Sequence, residues 1–524
     1  MYRRPGTYVE EVTFSQNIEA QGLATPVGAF VGRSLRGPVD KPAFVGSWTD
    51  FTRTFGQFRS ADGAQNYRLA QAIFQFFGNG GRGAWVQRVV GPGAASATIN
   101  VKDSAAADVL TISAIDPGDW AVGNLYVQVV DVFPTGAGGA TVAGDTFTLA
   151  VYSGGVGVGH IVERWTDLSL DPNHARYALS IVNAGSAWIK LIRPTVIGFL
   201  PPVTNTAPVA LAKPSGVLGS LDGTSAPTAA AYTAAAELFD IIDSNLLFNV
   251  PDAYDMPEAD ATLVINTFIT KADERGDAFV VVDVPKTAES VPSGAATWAL
   301  SVNGSANAAI YYPSVLISNP VPGAGRSPIT VPPGGSVVGL YHTTDASRGI
   351  FKSPAGVGSG LGGVVDVSKR LTNRQLDELN TASRPLNVIR PVPGSGICVM
   401  GARTCGGPSG LRYVGTRRTL LAVKKELTDR TQFAVMENND ENLWAKVTTA
   451  CTVYLSGLWQ AGGLKGATPA SAFFVKCDGT NNTPNSISSG VLNVEVGVAL
   501  QTPAEFVVIR IGQFDGGSSV TETN

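Results

Sequence analysis

Histidine, cysteine and charge are all scarce in this chain. Of its 524 residues, three are histidine (His160, His174, His342) and four are cysteine (Cys398, Cys405, Cys451, Cys477). No two cysteines stand in a CxxC spacing and no histidine lies near them, which argues against zinc ligation and disulfides and for reduced, buried thiols. Charged side chains make up 15% of the chain, against 60 glycines and 32 prolines. That balance disfavours a disordered or long-helical protein and favours a β-rich, turn-rich globular one. No run of about 18 apolar residues occurs, and the opening MYRRPGTYVEEV lacks an apolar leader core, so a soluble, unexported chain without direct membrane insertion is expected. Catalytic signatures are missing as well: there is no GxxxxGK[ST], no GxSxG and no HExxH, and nothing calls for a cofactor or a metal.

What is present divides by composition, and the length implies two to four domains. Residues 1–91 begin with PGTYVEEV (5–12), where Tyr8, Val9, Glu10, Glu11 and Val12 read as an extended arm with no hairpin partner nearby. PVGAFVGRSLRGP (26–38) reads as a small-residue buried strand. NYRLAQAIFQFFGNGG (66–81) places Leu69, Ile73, Phe76 and Phe77 on one helical face, stops at Gly78, and hands over to the strand AWVQRVV. Residues 92–215 change character, with alternating runs DVLTISAI, NLYVQVVDVF, DTFTLAVYSG and AWIKLI between Gly, Asp and Pro clusters. They predict a β-sandwich-like insertion or small barrel.

Residues 216–385 follow α/β grammar, a helix at AAELFDIID, a strand at NLLFNVP, a helix over 260–274 and the apolar strand AFVVVDVP (278–285). Residues 386–514 carry β-runs cut by Pro391, Pro393, Gly394, Gly396 and Gly401, a basic helix over 416–430, a strand at QFAVME, and a long helix from Asp440 with Leu443, Val447, Cys451, Tyr454 and Leu458 inward. VLNVEVGVAL (491–500) and AEFVVIRIGQF (504–514) are expected to pair as two antiparallel strands. Residues 515–524 read as a flexible tail.

Three features could carry chemistry. Asp283 ends a buried strand, where α/β carboxylates often act, although without a second polar partner a capping or salt-bridging role is the better reading. His342 stands beside Asp345 and Arg348, and the glycine run GVGSGLGG (356–363) could cradle a phosphate but reads better as turns.

One stretch suggests a family. NVIRPVPGSGICVMGARTC (387–405), followed by LRYVGTRR (411–418) and an NLW helix start, resembles the C-terminal domain of contractile phage tail sheath proteins. PGTYVEEV, AFVGRSLRGP and FFGNGGRGAWVQRV are similar to the N-terminal region of that family. AAIYYPSV (308–315), VPPGGSVVGLYHTTDASRGIFKSPAG (331–356) and LTNRQLDELN (371–380) are similar to its middle domain. The resemblance implies a multidomain α/β plus β fold in which residues 1–91 and 386–514 form one α+β core domain, with an α/β middle domain at 216–385 and a variable insertion at 92–215.

It further implies a structural subunit rather than an enzyme, a homo-oligomer stacked as hexameric rings into a helical sheath. The sheath would surround a tail tube protein, with baseplate and tail terminator proteins at its ends, in a virion tail assembled in the bacterial cytoplasm. A sheath of a phage-derived injection particle is the alternative of the same class, and an intracellular hydrolase or transferase that of another.

Charge adds to this reading. Lys and Arg outnumber Asp and Glu by 10 to 6 in residues 1–91 and by 12 to 8 in 386–514, whereas 92–385 carries 16 against 26. A basic core wants an acidic partner, and a protein surface fits as well as nucleic acid, because exposed aromatics do not interleave the basic residues; with a net charge of −4, no nucleic-acid role is expected. Arg417, Arg418, Lys424 and Lys425 fall within two turns of one helix and would form a cationic stripe toward the tube. Lys446 and Lys465 are alternative carriers. Phe506, Val507, Val508, Ile509 and Ile511 would form a second extended arm that, like the first, adds to a sheet in a neighbouring subunit.

Overall fold

The computed structural model describes residues 26–58, 67–137, 140–193, 200–205, 207–215, 217, 220–321, 327–505, 514–515 and 518–519. The first elements are β1 (Val27–Gly32), β2 (Ala43–Val45), α1 (Trp48–Phe55), α2 (Arg68–Gly78) and β3 (Ala84–Arg88). The chain then enters the insertion, β4 (Thr98–Lys102), β5 (Asp108–Ala114), β6 (Leu125–Phe133), β7 (Thr146–Ser153), β8 (Ile161–Ser169), α3 (Ala178–Gly185), β9 (Ile189–Ile192) and β10 (Val209–Ala210). It returns through α4 (Ala229–Glu237), β11 (Leu246–Asn249), α5 (Glu258–Arg275), β12 (Ala278–Asp283), α6 (Pro292–Ala299) and β13 (Ala308–Tyr312). A small antiparallel sheet of β14 (Val315–Ile317), β15 (Ile329–Val331) and β16 (Val364–Val367) brackets α7 (Gly334–Arg348). After α8 (Asn373–Thr381) come β17 (Leu386–Val392), β18 (Gly396–Val399), α9 (Val414–Thr431), α10 (Glu441–Gln460), β19 (Phe473–Lys476) and β20 (Glu495–Val498).

Eight strands form the central sheet, in the order β18-β17-β13-β12-β11-β1-β3-β2. The six inner strands are parallel, and β2 and β18 close the edges antiparallel. Runs such as LLFN and AFVVVD are buried along their whole length, as parallel strands covered on both faces must be. Phe248, Val280 and Ile310 face α4, α5 and α6, packing with Phe239, Phe268 and Trp298. Leu247, Phe279 and Tyr311 face α2 and α7, packing with Ile73, Phe76 and Tyr341. Two glycines let α2 and α7 approach closely: a Cβ on Gly335 would lie 2.3 Å from the Ala72 carbonyl oxygen, and one on Gly339 2.6 Å from that of Phe76.

This sheet corrects the expected domain division. Strands from residues 1–91, from 216–385 and from the start of 386–514 lie side by side in it, so the N-terminal segment is not joined to the C-terminal one apart from a separate middle domain. The physical reason is that β1 is apolar on both faces and needs a neighbour on each edge, and it finds β3 on one and β11 on the other. Residues beyond 413 add two small cores around Leu455 and Val447, while Val414 and Leu421 at the start of α9 pack in the main core.

The insertion has two sheets, β4-β5-β9 and β10-β6-β7-β8, closed over one core that includes Trp120, Phe147, Leu149 and Leu191. That core also takes in Leu221, so the insertion runs past residue 215. Its neck is a pair of turns joined by backbone hydrogen bonds, Gly91 donating to the Asp222 carbonyl at 2.8 Å and Thr224 to the Pro92 carbonyl at 3.0 Å. Arg88, at the end of β3 and 2% exposed, fastens the neck. Its guanidinium donates to the carbonyls of Ser34 (3.2 Å), Gly37 (3.2 Å) and Pro117 (2.7 Å) and to Asp222 Oδ1 (3.0 Å). Arg36 adds a cation over the Trp188 ring, 4.6 Å from its centroid.

In the C-terminal unit α10 begins at Asp440, which accepts from the Leu443 amide at 2.9 Å, and buries Leu443, Val447, Cys451, Tyr454 and Leu458. QFAVME is not a strand: it makes one 3-10 turn at Gln432–Ala434 and an exposed connection to α10, and no strand pairing involves it among the described residues. Within 491–500, Glu495–Val498 is the strand, and it pairs with β19; its expected partner, 504–514, lies largely outside the described residues. Phe514–Asp515 pairs with Ser518–Ser519, so the tail beyond 514 is not structureless throughout.

Candidate interaction surfaces

Helix α9 is where the expected cationic stripe should lie, and the structure disperses it. Arg418 points into the body, 1% exposed, and forms a two-point ion pair with Asp345 of α7, one contact at 3.0 Å. Its guanidinium also sits 4.4 Å from the centroid of Tyr341, whose hydroxyl lies 2.5 Å from that of Tyr311. Burial raises the Asp345 carboxyl, with Arg418 opposing. Arg417 donates to Asn307 Oδ1 at 2.7 Å, and burial lowers its guanidinium. Lys425 is bonded to Asp243 and, at 2.9 Å, to Asp429. Lys424 is exposed and in no ion pair among the described residues. The stripe fails because long-range folding brings a polar partner to each of Arg417, Arg418 and Lys425, namely Asn307, Asp345 and Asp243. Lys446 on α10 is exposed, and Lys465 reaches Thr502 Oγ1 at 2.8 Å.

The two arms, Tyr8 to Val12 and Phe506 to Ile511, lie outside the described residues. Their roots do not. Val27 donates to the Asn245 carbonyl at 2.8 Å, and Pro26 shares a small cavity with Arg418 and Leu421. At the other end Glu505 accepts from Arg403 Nε (2.7 Å) and Nη2 (2.9 Å), from the Tyr413 hydroxyl (2.8 Å) and from Asn380 Nδ2 (3.5 Å). The described residues next to both arms thus lie close to the start of α9, Pro26 beside Arg418 and Leu421 and Glu505 bonded to Tyr413. Composition did not reveal this anchor; its one signal is a carboxylate placed directly before an apolar run.

The features with possible chemistry take structural positions. Asp283 Oδ1 accepts from the Gly334 amide at 2.7 Å, capping α7, while Oδ2 accepts from Asn249 Nδ2 at 2.8 Å. Burial pushes its carboxyl up to about 7, against those two hydrogen bonds. His342 is 2% exposed with its ring edge-on to Phe76, and neither nitrogen has a hydrogen-bond partner among the described residues. Burial and the charges of Arg418 and Arg82 hold it down at about 3, hence neutral. Residues 356–363 form successive turns with no helix after them. All four cysteines are buried and unpaired. Among the described residues no group of three or more His, Cys, Asp or Glu could hold a metal ion, and no helix is long and apolar enough to cross a membrane.

Residues 408–514 match the family described as phage tail sheath C-terminal domain. The tail sheath protein of Vibrio phage KVP40 is 28% identical over 159 residues, a stretch that makes up 30% of this chain and 22% of that relative's length. Among solved structures, a chain of the anti-feeding prophage helical sheath in its contracted state aligns over 98% of this chain and 100% of its own, with TM-score 0.56 and 22% identity. The sheath tail protein from Listeria innocua aligns over 91% and 95%, with TM-score 0.60 and 13% identity. At these identities the likeness to the two structures is one of fold.

Proposed function

We propose that this chain is the repeating subunit of a contractile sheath, of a phage tail or of a phage-derived injection particle, and that it polymerises helically around a tail tube and contracts to drive the tube through a host envelope. The observation that carries the reading is the family match over residues 408–514. An interface repeated head to tail without closing makes a helix, and contraction needs a second packing of the same subunits, reached from a metastable first one. No bond is made or broken in that cycle, so no catalysis or cofactor is required.

The arms Tyr8 to Val12 and Phe506 to Ile511 are taken to add to sheets of neighbouring copies. In the described unit the two-stranded β19-β20 sheet has outer edges that could accept them. Each backbone hydrogen bond contributes about 1 kcal/mol net, so an arm making four or five holds several. The tube contact falls to the outward lysines Lys424, Lys446 and Lys465, as exposed ion pairs that release readily. Baseplate and terminator proteins would close the two ends, and the site of action is the virion tail or particle.

Electron microscopy of the purified protein tests the reading. Helical tubes are expected from the full chain, and folded subunits without tubes after deletion of residues 1–14. Discrete small oligomers with turnover of a substrate would favour an enzyme instead, and DNA in purified particles would separate a phage tail from an injection particle.

A further inference from the structure

Glu505 is half-buried, the last residue of the C-terminal unit before the second arm, and four donors converge on its carboxylate. Arg403, in the loop after β18, supplies a two-point contact. Tyr413, the residue preceding α9, and Asn380, near the end of α8, supply the others. Arg403 is itself held by donating to the Asn380 carbonyl at 2.6 Å, and Arg412 is the further charge facing the cluster. The preceding residues are pinned in turn. Thr416 Oγ1 donates to the Gln501 carbonyl at 2.7 Å, Gln501 Nε2 to that of Leu464 at 3.1 Å, and the Lys465 amide to that of Ala499 at 2.7 Å.

A two-point arginine contact fixes direction as well as position, and none of these donors is needed to fill a core. We propose that Glu505 is an ion-pair latch that fixes where and in which direction the C-terminal arm leaves the subunit, closed near neutral pH and opened by acid. The latch gives the arm a set starting direction, which lowers the ordering cost of reaching a neighbour. In this it rests on the sheath reading above. Burial raises the Glu505 carboxyl, but the bonds from Arg403 and Tyr413 outweigh it and the net displacement is below the ordinary 4.5. A group depressed in this way contributes its full hold above about 4.5 and loses it as pH falls through the lowered value.

The test is made on the soluble monomer by hydrogen exchange of peptides covering 495–505, so that failure of the sheath reading, seen as absence of tubes, leaves it intact. Glu505→Gln and Arg403→Gln should each raise exchange there about tenfold at pH 7, leave α10 unchanged, and together do no more than either alone. In the wild type, exchange corrected for its intrinsic pH dependence should rise as pH falls below about 4.5, and Glu505→Gln should abolish that rise. Unchanged exchange in the single variants, additive effects in the double variant, or an acid response retained in Glu505→Gln would each overturn the latch.

Discussion

The insertion and the C-terminal unit are both carried by the eight-stranded sheet, and a buried arginine contributes to each attachment, in opposite ways. Arg88 is hydrogen-bonded mostly by backbone carbonyls, with the partly exposed Asp222 as its ion-pair partner and Asp116 as a further carboxylate acting on it. Arg418 meets Asp345, a carboxylate as buried as itself, at 1% and 3% side-chain exposure. The chain enters and leaves the insertion through one hydrogen-bonded neck, so the insertion is held by two covalent strands and Arg88 has only to set its angle. The C-terminal unit follows β18 through one connection, and its cores are small. Its ion pair with α7 adds to the burial of Val414 and Leu421 in the main core. A buried pair of this kind is costly to break because one charge is left uncompensated.

Breaking the pair should give the largest effect. Arg418→Met is expected to cost roughly 3–5 kcal/mol in urea unfolding, and adding Asp345→Leu should recover most of it. A cost below about 1 kcal/mol for the single variant would place the attachment elsewhere. Arg88→Met should cost less, about 1–3 kcal/mol, because Asp222 can turn to water. It should raise proteolysis at 91–94 and 220–225 without touching α9 or α10. Equal losses from the two variants would erase the contrast.

A third measurement supplies a reference within the sheet. Burial lifts the Asp283 carboxyl from 3.8 to about 7, so the folded state holds that proton where the unfolded chain has lost it. The contribution of this group to stability should be greatest below about 3.8, fall as pH rises toward 7, and level off above. Thermal melts of Asp283→Asn should lack that slope, and the same slope in both proteins would assign it to another group. The smallest change is expected from Lys425→Glu. Its partners Asp243 and Asp429 are exposed at 79% and 44%, so the cost is about 0–1 kcal/mol on the same urea curves.

Much of the fold was legible from local pattern. The α2 face, the AFVVVD strand, the α10 stripe and the β-rich insertion follow from apolar spacing that each segment carries by itself. The arrangement of β1 between β3 and β11 was not, because an apolar run states that it must be covered on both faces without stating by which strands. Charge was read least well. Arg418 and Lys424 are alike in sequence, six residues apart on one helix, yet one is buried and the other exposed. The resemblance of 387–418 indicated the family of the fold but not the Arg403 and Tyr413 contact to Glu505, since the partners are 102 and 92 residues apart.

The sequence by itself determined many of the helices and strands, and that the inner strands are covered on both faces. These depend on the kind and spacing of neighbouring side chains, which the chain states locally. Only the tertiary structure decided which strands share a sheet, which arginine is a buried tie, and what the described residues next to the two arms touch. Each of those rests on contacts between residues far apart along the chain, whose pairing is set by burial of the whole and not by any segment alone.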